Sequence, residues 1–431
     1  MRPPRQPGSA PCGRVPLAEV LGPGLITGAS DDDPSGIATY TQAGARFGFE
    51  LGWTLVLTYP LMVVTQEISA RIGRVTGRGI AGNIRTHYSP ATLRAVAALL
   101  CLANTVNIGA DLGAMAEATR LLLPLLPLGL GVALFGLGCA LAPLLVNHRR
   151  YVSLLKWLTL ALFAYFAVLF TVHVPWHEAL RGMLWPRWSS GAAFWQMVVA
   201  VLGTTISPYM LFWQAALEVE DTRAAQRPPL RRAPRQGPAV LARIRLDTVV
   251  GMALSNLVGL AILVTAATTL RPHGLTDIKS AADAAQALRP LAGHFAFAVF
   301  ALGILGTGLL AVPVLAASAA YTLGEACMWP VGMSRRLSQA KGFYATIAAT
   351  TLIGALANLL PLDAMSALIW AAVINGLVAV PVMAVVVRMA RDERIMGGFV
   401  VSRGAMLVGL LTTAVMALAA LGMIWGALFG A

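Results

Sequence analysis

Charged residues are scarce in this chain of 431 residues. Asp, Glu, Lys and Arg make up 12% of it, about half the share of roughly 25% found in soluble domains. Hydrophobic residues make up 57%, and the mean hydropathy is +0.72. This composition excludes a water-soluble enzyme, a nucleic-acid-binding domain and a disordered chain, and it indicates a polytopic membrane protein.

Cysteine is also scarce. The chain has four cysteines, which lie far apart and form no CxxC pair. The sequence therefore supports neither a disulfide framework nor a zinc site. A long uninterrupted apolar run is missing from the N-terminal region, where Gly and Pro interrupt residues 17–30, so we do not expect a cleaved signal peptide. No nucleophile–base pair or Gly-rich phosphate loop occurs in an accessible segment, so we expect neither an enzyme nor a bound cofactor.

Long apolar windows recur along the chain and predict an all-α membrane protein. A helix that crosses a bilayer needs about 20 mostly apolar residues, and no stretch shows the two-residue alternation of a membrane β-strand. The sequence predicts eleven spans, at residues 17–47, 49–71, 95–122, 128–147, 151–173, 193–219, 246–270, 291–328, 343–361, 364–388 and 405–428.

The distribution of Lys and Arg predicts the orientation of these spans. With a cytoplasmic N-terminal tail at residues 1–16, 25 of the 32 basic residues fall on the cytoplasmic side, as the positive-inside rule requires. The same rule explains the basic stretch RAAQRPPLRRAPRQGP within the cytoplasmic loop 221–245, so we do not expect nucleic acid as a partner. We therefore expect a multi-pass protein of the plasma (inner) membrane, surrounded by lipid.

Two spans are interrupted at matching positions. The first reads GLITGAS-DDDPSG-IATYTQAG and the sixth reads VVAVLG-TTISP-YMLFWQAA, with Pro34 and Pro208 174 residues apart. Because the two spans enter from opposite sides, residues 17–173 and 193–388 form two five-span halves of opposite topology, followed by an eleventh helix in 405–431. Interrupted helices at matching positions of inverted halves are typical of the midplane substrate site of a secondary transporter.

Acidic side chains cluster at this depth. Asp31, Asp32 and Asp33 precede Pro34, and carboxylates inside a membrane need a cation, a partner or water. We expect Asp33 to coordinate an ion, whereas Asp31 fits either a water-filled vestibule or the ion path equally well. In the third span, Asn107 and Asp111 share one helical face with Asn104. The asparagines fit a hydrogen-bonded seam between helices, and the lone Asp111 favours a functional role.

The first span resembles the first helix of the Nramp family, the proton-coupled divalent-metal transporters with the LeuT-type fold. The resemblance lies in the stretch GPGLITGASDDDPSGIATYTQAGARFG. This resemblance implies a 5+5 inverted repeat with broken helices 1 and 6. It also implies that Asp33 is the metal-binding aspartate. The asparagine ligand of the family falls on Gly36, which offers only a backbone carbonyl, and the carbonyl ligand of helix 6 falls on Thr204.

Other family positions are altered in this chain. The methionine ligand of the family falls on Ser207, and its two helix 6 histidines fall on Tyr209 and Gln214. The acidic pair of helix 3 keeps only its first member, at Asp111, since Ala114 replaces the second. These replacements weaken the expectation of proton coupling. The residues that we expect along the ion path or at its gates are Tyr209, Gln214, Asn107, Asp111 and Asp31.

The resulting ligand set contains only oxygen. It comprises Asp33, Asp32, the carbonyls of Gly36 and Thr204, and Ser207. Carboxylate, carbonyl and hydroxyl oxygens suit hard cations such as Mg²⁺ or Mn²⁺, whereas a thioether favours softer metals. The sequence therefore predicts a secondary transporter that moves a divalent metal cation by alternating access, with that cation as its substrate and protons as an open second partner.

Two alternatives stay open at the level of sequence. A LeuT-type transporter of an organic amine or amino acid would use the aromatic residues near the breaks, which are Tyr40, Tyr209, Phe212 and Trp213. A channel or a sensor is the other alternative, although twin broken helices favour alternating access over a continuous pore. The roles of Glu67, Glu325 and Asn375 are not predicted.

Overall fold

The computed structural model describes residues 28, 31–145, 162–188, 191–360 and 362–429, and these residues contain helices and no strand. Fourteen α-helices of eight residues or more lie within them. They are α1 Pro34–Phe47, α2 Gly52–Thr76, α3 Ile80–His87, α4 Pro90–Leu122, α5 Leu128–Leu145, α6 Phe163–Thr171, α7 Trp176–Leu184, α8 Ala192–Thr205, α9 Pro208–Ala224, α10 Gly237–Thr269, α11 Ala296–Cys327, α12 Lys341–Ala357, α13 Ala364–Arg391 and α14 Arg403–Phe429.

Seven helical stretches among the described residues are long and apolar enough to cross a membrane, and α8 and α9 count as one of them. The other four predicted spans contain α1, α2, α6 and α12. The predicted tail 1–16, the beginning of the first span and residues 151–161 of the fifth span lie outside the described residues. The prediction of an all-α polytopic membrane protein is confirmed.

Both predicted interruptions are present, and proline begins the helix after each one. α1 starts at Pro34 with Asp33 as its N-cap residue, in an extended conformation with φ −72° and ψ 170°. α8 ends at Thr205, and α9 starts at Pro208 after the extended N-cap Ser207, with φ −68° and ψ 131°. Proline fits the first turn of a helix because that turn needs no N–H donor, and it removes the donor that would continue the helix before it.

Close helix contacts hold the two broken segments against their neighbours. The Cβ that an alanine would add at Gly44 in α1 would lie 2.2 Å from the carbonyl oxygen of Leu263 in α10. At Gly203 in α8, an added Cβ would lie 2.0 Å from the carbonyl oxygen of Ala372 in α13. Small residues let helix backbones approach closely where lipid supplies no hydrophobic driving force. Glycine thus fixes the distances from the broken segments to α10 and α13.

The basic loop is shorter than the predicted 221–245, because α9 continues to Ala224 and α10 begins at Gly237. The segment between them packs against the end of α2: Leu230 is buried, its N–H donates to the carbonyl of Arg74, and Arg74 donates to the carbonyl of Pro228. The buried Leu230 thus holds this basic segment against α2, whereas the charged residues of the segment favour water.

Candidate functional site

Asp33 lies at the break in the first span and binds donors on both of its carboxylate oxygens. Its Oδ1 accepts hydrogen bonds from Ser35 Oγ at 2.6 Å and from the Gly36 N–H at 2.8 Å. Its Oδ2 accepts one from Asn107 Nδ2 of α4 at 2.9 Å. The side chain is 2% exposed. Hydrogen bonds and the positive end of the α1 dipole favour the charged carboxylate, which is the form that binds a cation.

The second break supplies oxygen atoms from Ser207 and from the backbone. Ser207 Oγ lies 2.8 Å from the carbonyl oxygen of Gly203 and 2.9 Å from that of Thr204. Position 208 is proline, so the Thr204 carbonyl lacks the N–H that would bind it in an unbroken helix. Each of these oxygens keeps a lone pair for another ligand.

The two breaks meet at Gly36. A Cβ added to Gly36 would lie 3.1 Å from Thr204 Oγ1 and 3.6 Å from Asp33 Oδ1, so no larger residue fits there without displacing Thr204. Gly36 lies in the first turn of α1, and its N–H, not its carbonyl, faces Asp33. Its carbonyl is directed along the helix, as in any first turn. The geometry thus gives Gly36 a spacing role that the sequence analysis did not anticipate.

Asp31 and Asp32 face a different helix. Ser255 Oγ of α10 lies 2.8 Å from Asp31 Oδ2 and 3.1 Å from Asp32 Oδ1. A hydroxyl has one proton to donate, so Ser255 cannot satisfy both carboxylates at once. Both side chains are buried. The structure therefore separates the acidic run, with Asp33 directed to α4 and its two neighbours directed to α10.

Asn107 links Asp33 to the acid of α4. Besides its bond to Asp33, Asn107 Nδ2 lies 3.5 Å from Asp111 Oδ2, and Asn107 Oδ1 lies 3.5 Å from Asn375 Nδ2 of α13. All of these side chains are buried. Asn375, which had no predicted role, therefore belongs to the network around the first break.

Tyr209 and Gln214 are buried in α9, directly after the second break. The Tyr209 carbonyl accepts a hydrogen bond from Ser318 Oγ of α11 at 3.0 Å.

Of the aromatic residues considered for an amine site, Tyr40 packs against Gly259 of α10, and the ring of Trp213 lies 6.2 Å from the ring of Tyr321. These rings pack on different neighbours.

Every predicted site residue is buried, with Asp32 the most exposed at 6%. These side chains are therefore shielded from solvent in this structure.

Sequence reasoning missed two polar residues that hold helix ends against neighbouring segments. Gln42 of α1 binds the segment after α10, donating to the carbonyl of Thr276 at 3.0 Å and accepting from the N–H of Ile278 at 2.8 Å. Glu325 of α11 accepts from the N–H groups of Gly79 and Gly82 at 2.7 and 2.8 Å. A polar residue near a span end is the only signal of either contact in the sequence.

Replacing Glu325 with glutamine is expected to destabilise the packing of α3 against α11 by about 1–2 kcal/mol, because glutamine has one acceptor oxygen for the two N–H groups at the start of α3. The apparent melting temperature in detergent measures this effect. Glu67→Gln is the matched control, since Glu67 makes only an i,i+4 pair with Arg71 and should cost about 0.5 kcal/mol or less. Equal melting temperatures for the two variants would contradict the capping role.

Two helices are interrupted at prolines, and buried carboxylates lie at the first interruption. These features define the class of this protein as a helical membrane protein with the LeuT-type fold. Its fold resembles that of Mhp1, a nucleobase-cation-symport-1 family transporter, with a TM-score of 0.53 and 15% identity over 95% of this chain and 92% of that one. It resembles a manganese transporter from Eremococcus coleocola more strongly, with a TM-score of 0.77 and 18% identity over 97% of this chain and 88% of that one.

The model of the natural resistance-associated macrophage protein-like (Nramp) family matches residues 24–426, and the chain belongs to this family. A relative from Ralstonia nicotianae, the divalent metal cation transporter MntH, is 31% identical over 298 residues, which cover 68% of this chain and 65% of the relative. The MntH of Verminephrobacter eiseniae is 28% identical over 301 residues, with the same shares. The matched part of this chain thus spans about two thirds of the length of these relatives.

Proposed function

We propose that this protein is a secondary transporter that carries a divalent metal cation across the plasma membrane by alternating access, with its N-terminus in the cytoplasm. The observation that supports this most directly is the meeting of the two breaks at Gly36, where Asp33 and Thr204 both lie close to Gly36 and are both buried. The relatives named MntH are described as divalent metal cation transporters. The bias of basic residues supports the orientation.

The cation binds through oxygen atoms of both breaks. Asp33 supplies the negative charge, while Ser207 Oγ and the Thr204 carbonyl supply neutral oxygens. Gly36 keeps the two breaks in contact. Asp32 completes the negative side of the pocket after its link to Ser255 is released. Such a set favours a hard, partly hydrated ion such as Mg²⁺ or Mn²⁺.

Gating moves the halves of the broken helices relative to their partners. Outward opening requires α1 to separate from the segment that Gln42 binds. Inward opening requires α9 to release contacts such as the bond between Ser318 and the Tyr209 carbonyl. Tyr209 and Gln214 then line the cytoplasmic path, and Asp31 the space next to α10. No histidine lies in either break, so proton coupling through helix 6 histidines is not part of the proposal.

Calorimetry on the purified protein tests the substrate class. Saturable heats are expected from Mg²⁺ or Mn²⁺, and these heats should disappear in Asp33→Asn. A panel of organic amines and amino acids serves as the comparison. Saturable heats from amines alone would contradict a metal site and favour an amine transporter of the same fold.

Replacing Ser207 with methionine is expected to shift the ion preference towards softer metals. A thioether binds Cd²⁺ better and Mg²⁺ worse than a hydroxyl does, so the ratio of Cd²⁺ to Mg²⁺ uptake should rise by about tenfold, the effect of roughly 1.4 kcal/mol. Uptake into proteoliposomes, measured for both ions, checks this.

Ser207→Ala is the control for the Ser207 experiment, since it removes the hydroxyl without adding a soft ligand. It should lower uptake of both ions and leave their ratio nearly unchanged. An unchanged ratio in Ser207→Met, in a variant that elutes as folded protein, would mean that residue 207 does not contact the ion.

A further inference from the structure

Three side chains between α4 and α13 form a polar group that supplies no ligand to the proposed divalent-cation site. Asn107 and Asp111 lie one turn apart in α4, and Asn375 faces them from α13. The two amides are 3.5 Å apart, and Asn107 Nδ2 lies 3.5 Å from Asp111 Oδ2. Asp111 and Asn107 are 0% exposed and Asn375 is 1% exposed. We call these three residues the α4–α13 group.

The α4–α13 group has more acceptors than donors. Asn107 Nδ2 is already used by Asp33 at 2.9 Å, which leaves only a long contact for Asp111. Asp111 Oδ1 and Asn375 Oδ1 are buried and have no hydrogen-bond partner among the described residues. Unpaired carboxylate and carbonyl oxygens inside a membrane are costly unless something positive binds them.

No basic side chain of the described residues pairs with Asp111, since none of the ion pairs among them includes it. Asp33, which shares Asn107 with Asp111, is itself acidic. The balancing positive charge is therefore a bound cation or a proton.

We propose that the α4–α13 group binds a second, monovalent cation, Na⁺, through Asp111 Oδ1, Asn375 Oδ1 and Asn107 Oδ1. One carboxylate balances one positive charge, so a monovalent ion leaves the group neutral where a divalent ion would not. Carboxylate and amide oxygens are the hard ligands that such an ion prefers. A proton on Asp111 Oδ1, donated to the Asn375 carbonyl, is the competing way to satisfy these oxygens, and it predicts no response of the protein to Na⁺.

Asn107 connects this Na⁺ site to the first break. Its amide donates to Asp33 while its carbonyl faces Asn375, so an ion that holds Asn107 also orients the hydrogen bond to Asp33. The coupling between the two ions rests on the proposed function of Asp33, whereas Na⁺ binding itself does not. Two ions that share one orienting residue affect the affinity of each other reciprocally.

The test is binding of ²²Na⁺ to the purified full-length protein without divalent ions, together with melting temperatures in NaCl and in choline chloride at equal ionic strength. The wild type should bind one Na⁺ per chain and melt at a higher temperature in NaCl. Asp111→Asn and Asn375→Leu should lose this response, with Na⁺ affinity in Asp111→Asn falling by about a hundredfold or more because its charge is the main ligand.

Thr105→Val is the matched control in α4, because the Thr105 hydroxyl binds only the Cys101 carbonyl of its own helix. It should keep the Na⁺ response. Asp33→Asn should also keep ²²Na⁺ binding while losing the divalent ion, which separates failure of this inference from failure of the proposed function. The inference is overturned if the wild type binds no ²²Na⁺ and melts at the same temperature in both salts. It is equally overturned if Asp111→Asn responds to Na⁺ as the wild type does.

Discussion

Replacing Asp33 with asparagine is expected to reduce divalent-cation uptake by about a hundredfold or more, because it removes the charge that the two breaks surround. The substitution keeps the size of the side chain, and an amide oxygen can still accept from Ser35 and Gly36. The fold should therefore survive. Initial rates of Mn²⁺ and Mg²⁺ uptake into proteoliposomes, at matched protein content, measure the effect.

The control for Asp33→Asn is Glu67→Gln, which removes a carboxylate from α2 that pairs only with Arg71. Its uptake should stay within about twofold of the wild type, as expected for a partly exposed pair. Gel filtration and melting temperature establish that both variants are folded. Uptake by Asp33→Asn at the level of the wild type would refute the assignment of the binding site.

Replacing Gly203 with alanine is expected to destabilise the protein by about 3 kcal/mol, the upper part of the usual range for overpacking. The added Cβ would lie 2.0 Å from the Ala372 carbonyl oxygen and 2.4 Å from the Gly376 nitrogen. Both are backbone atoms, so the helices α8 and α13 must separate to admit it. The separation would displace the second break directly, because Thr204 follows Gly203.

Gly138→Ala in α5 is the matched control, since no atom lies within 4 Å of its added Cβ. This variant should melt at or slightly above the temperature of the wild type, because alanine is the better helix former. The melting temperature and the monodisperse fraction after solubilisation compare the two variants. A Gly203→Ala protein that melts with the control would show that α8 and α13 are not held at this distance.

Much of the fold could be predicted because membrane helices follow directly from local composition. The two proline interruptions and the family resemblance were read from the sequence and are confirmed by the helix boundaries and by the family match. Helix ends were less predictable: α10 begins at Gly237, nine residues before the predicted span, because its first turns lie beyond the apolar window.

The predicted site residues are all buried, and their contacts were less predictable than their depth. Asp32 and Asp33 are adjacent in sequence and were expected in one ligand set, yet Ser255 draws Asp32, together with Asp31, towards α10. Ser255 and Asn375 carry no motif, and they come close to the predicted residues only because α10 and α13 both pack against α1. A single polar residue in an apolar span does not indicate which residue of another span it contacts, so the sequence alone could not predict these pairs.

The sequence by itself determined the membrane class, the breaks at Pro34 and Pro208, and the presence of carboxylates beside the first of them, since hydropathy and the missing N–H of proline are local properties. Only the tertiary structure decided which oxygen atoms converge. The direction of a side chain in a membrane bundle depends on how closely neighbouring helices approach, and glycine contacts such as the one at Gly36 set that distance.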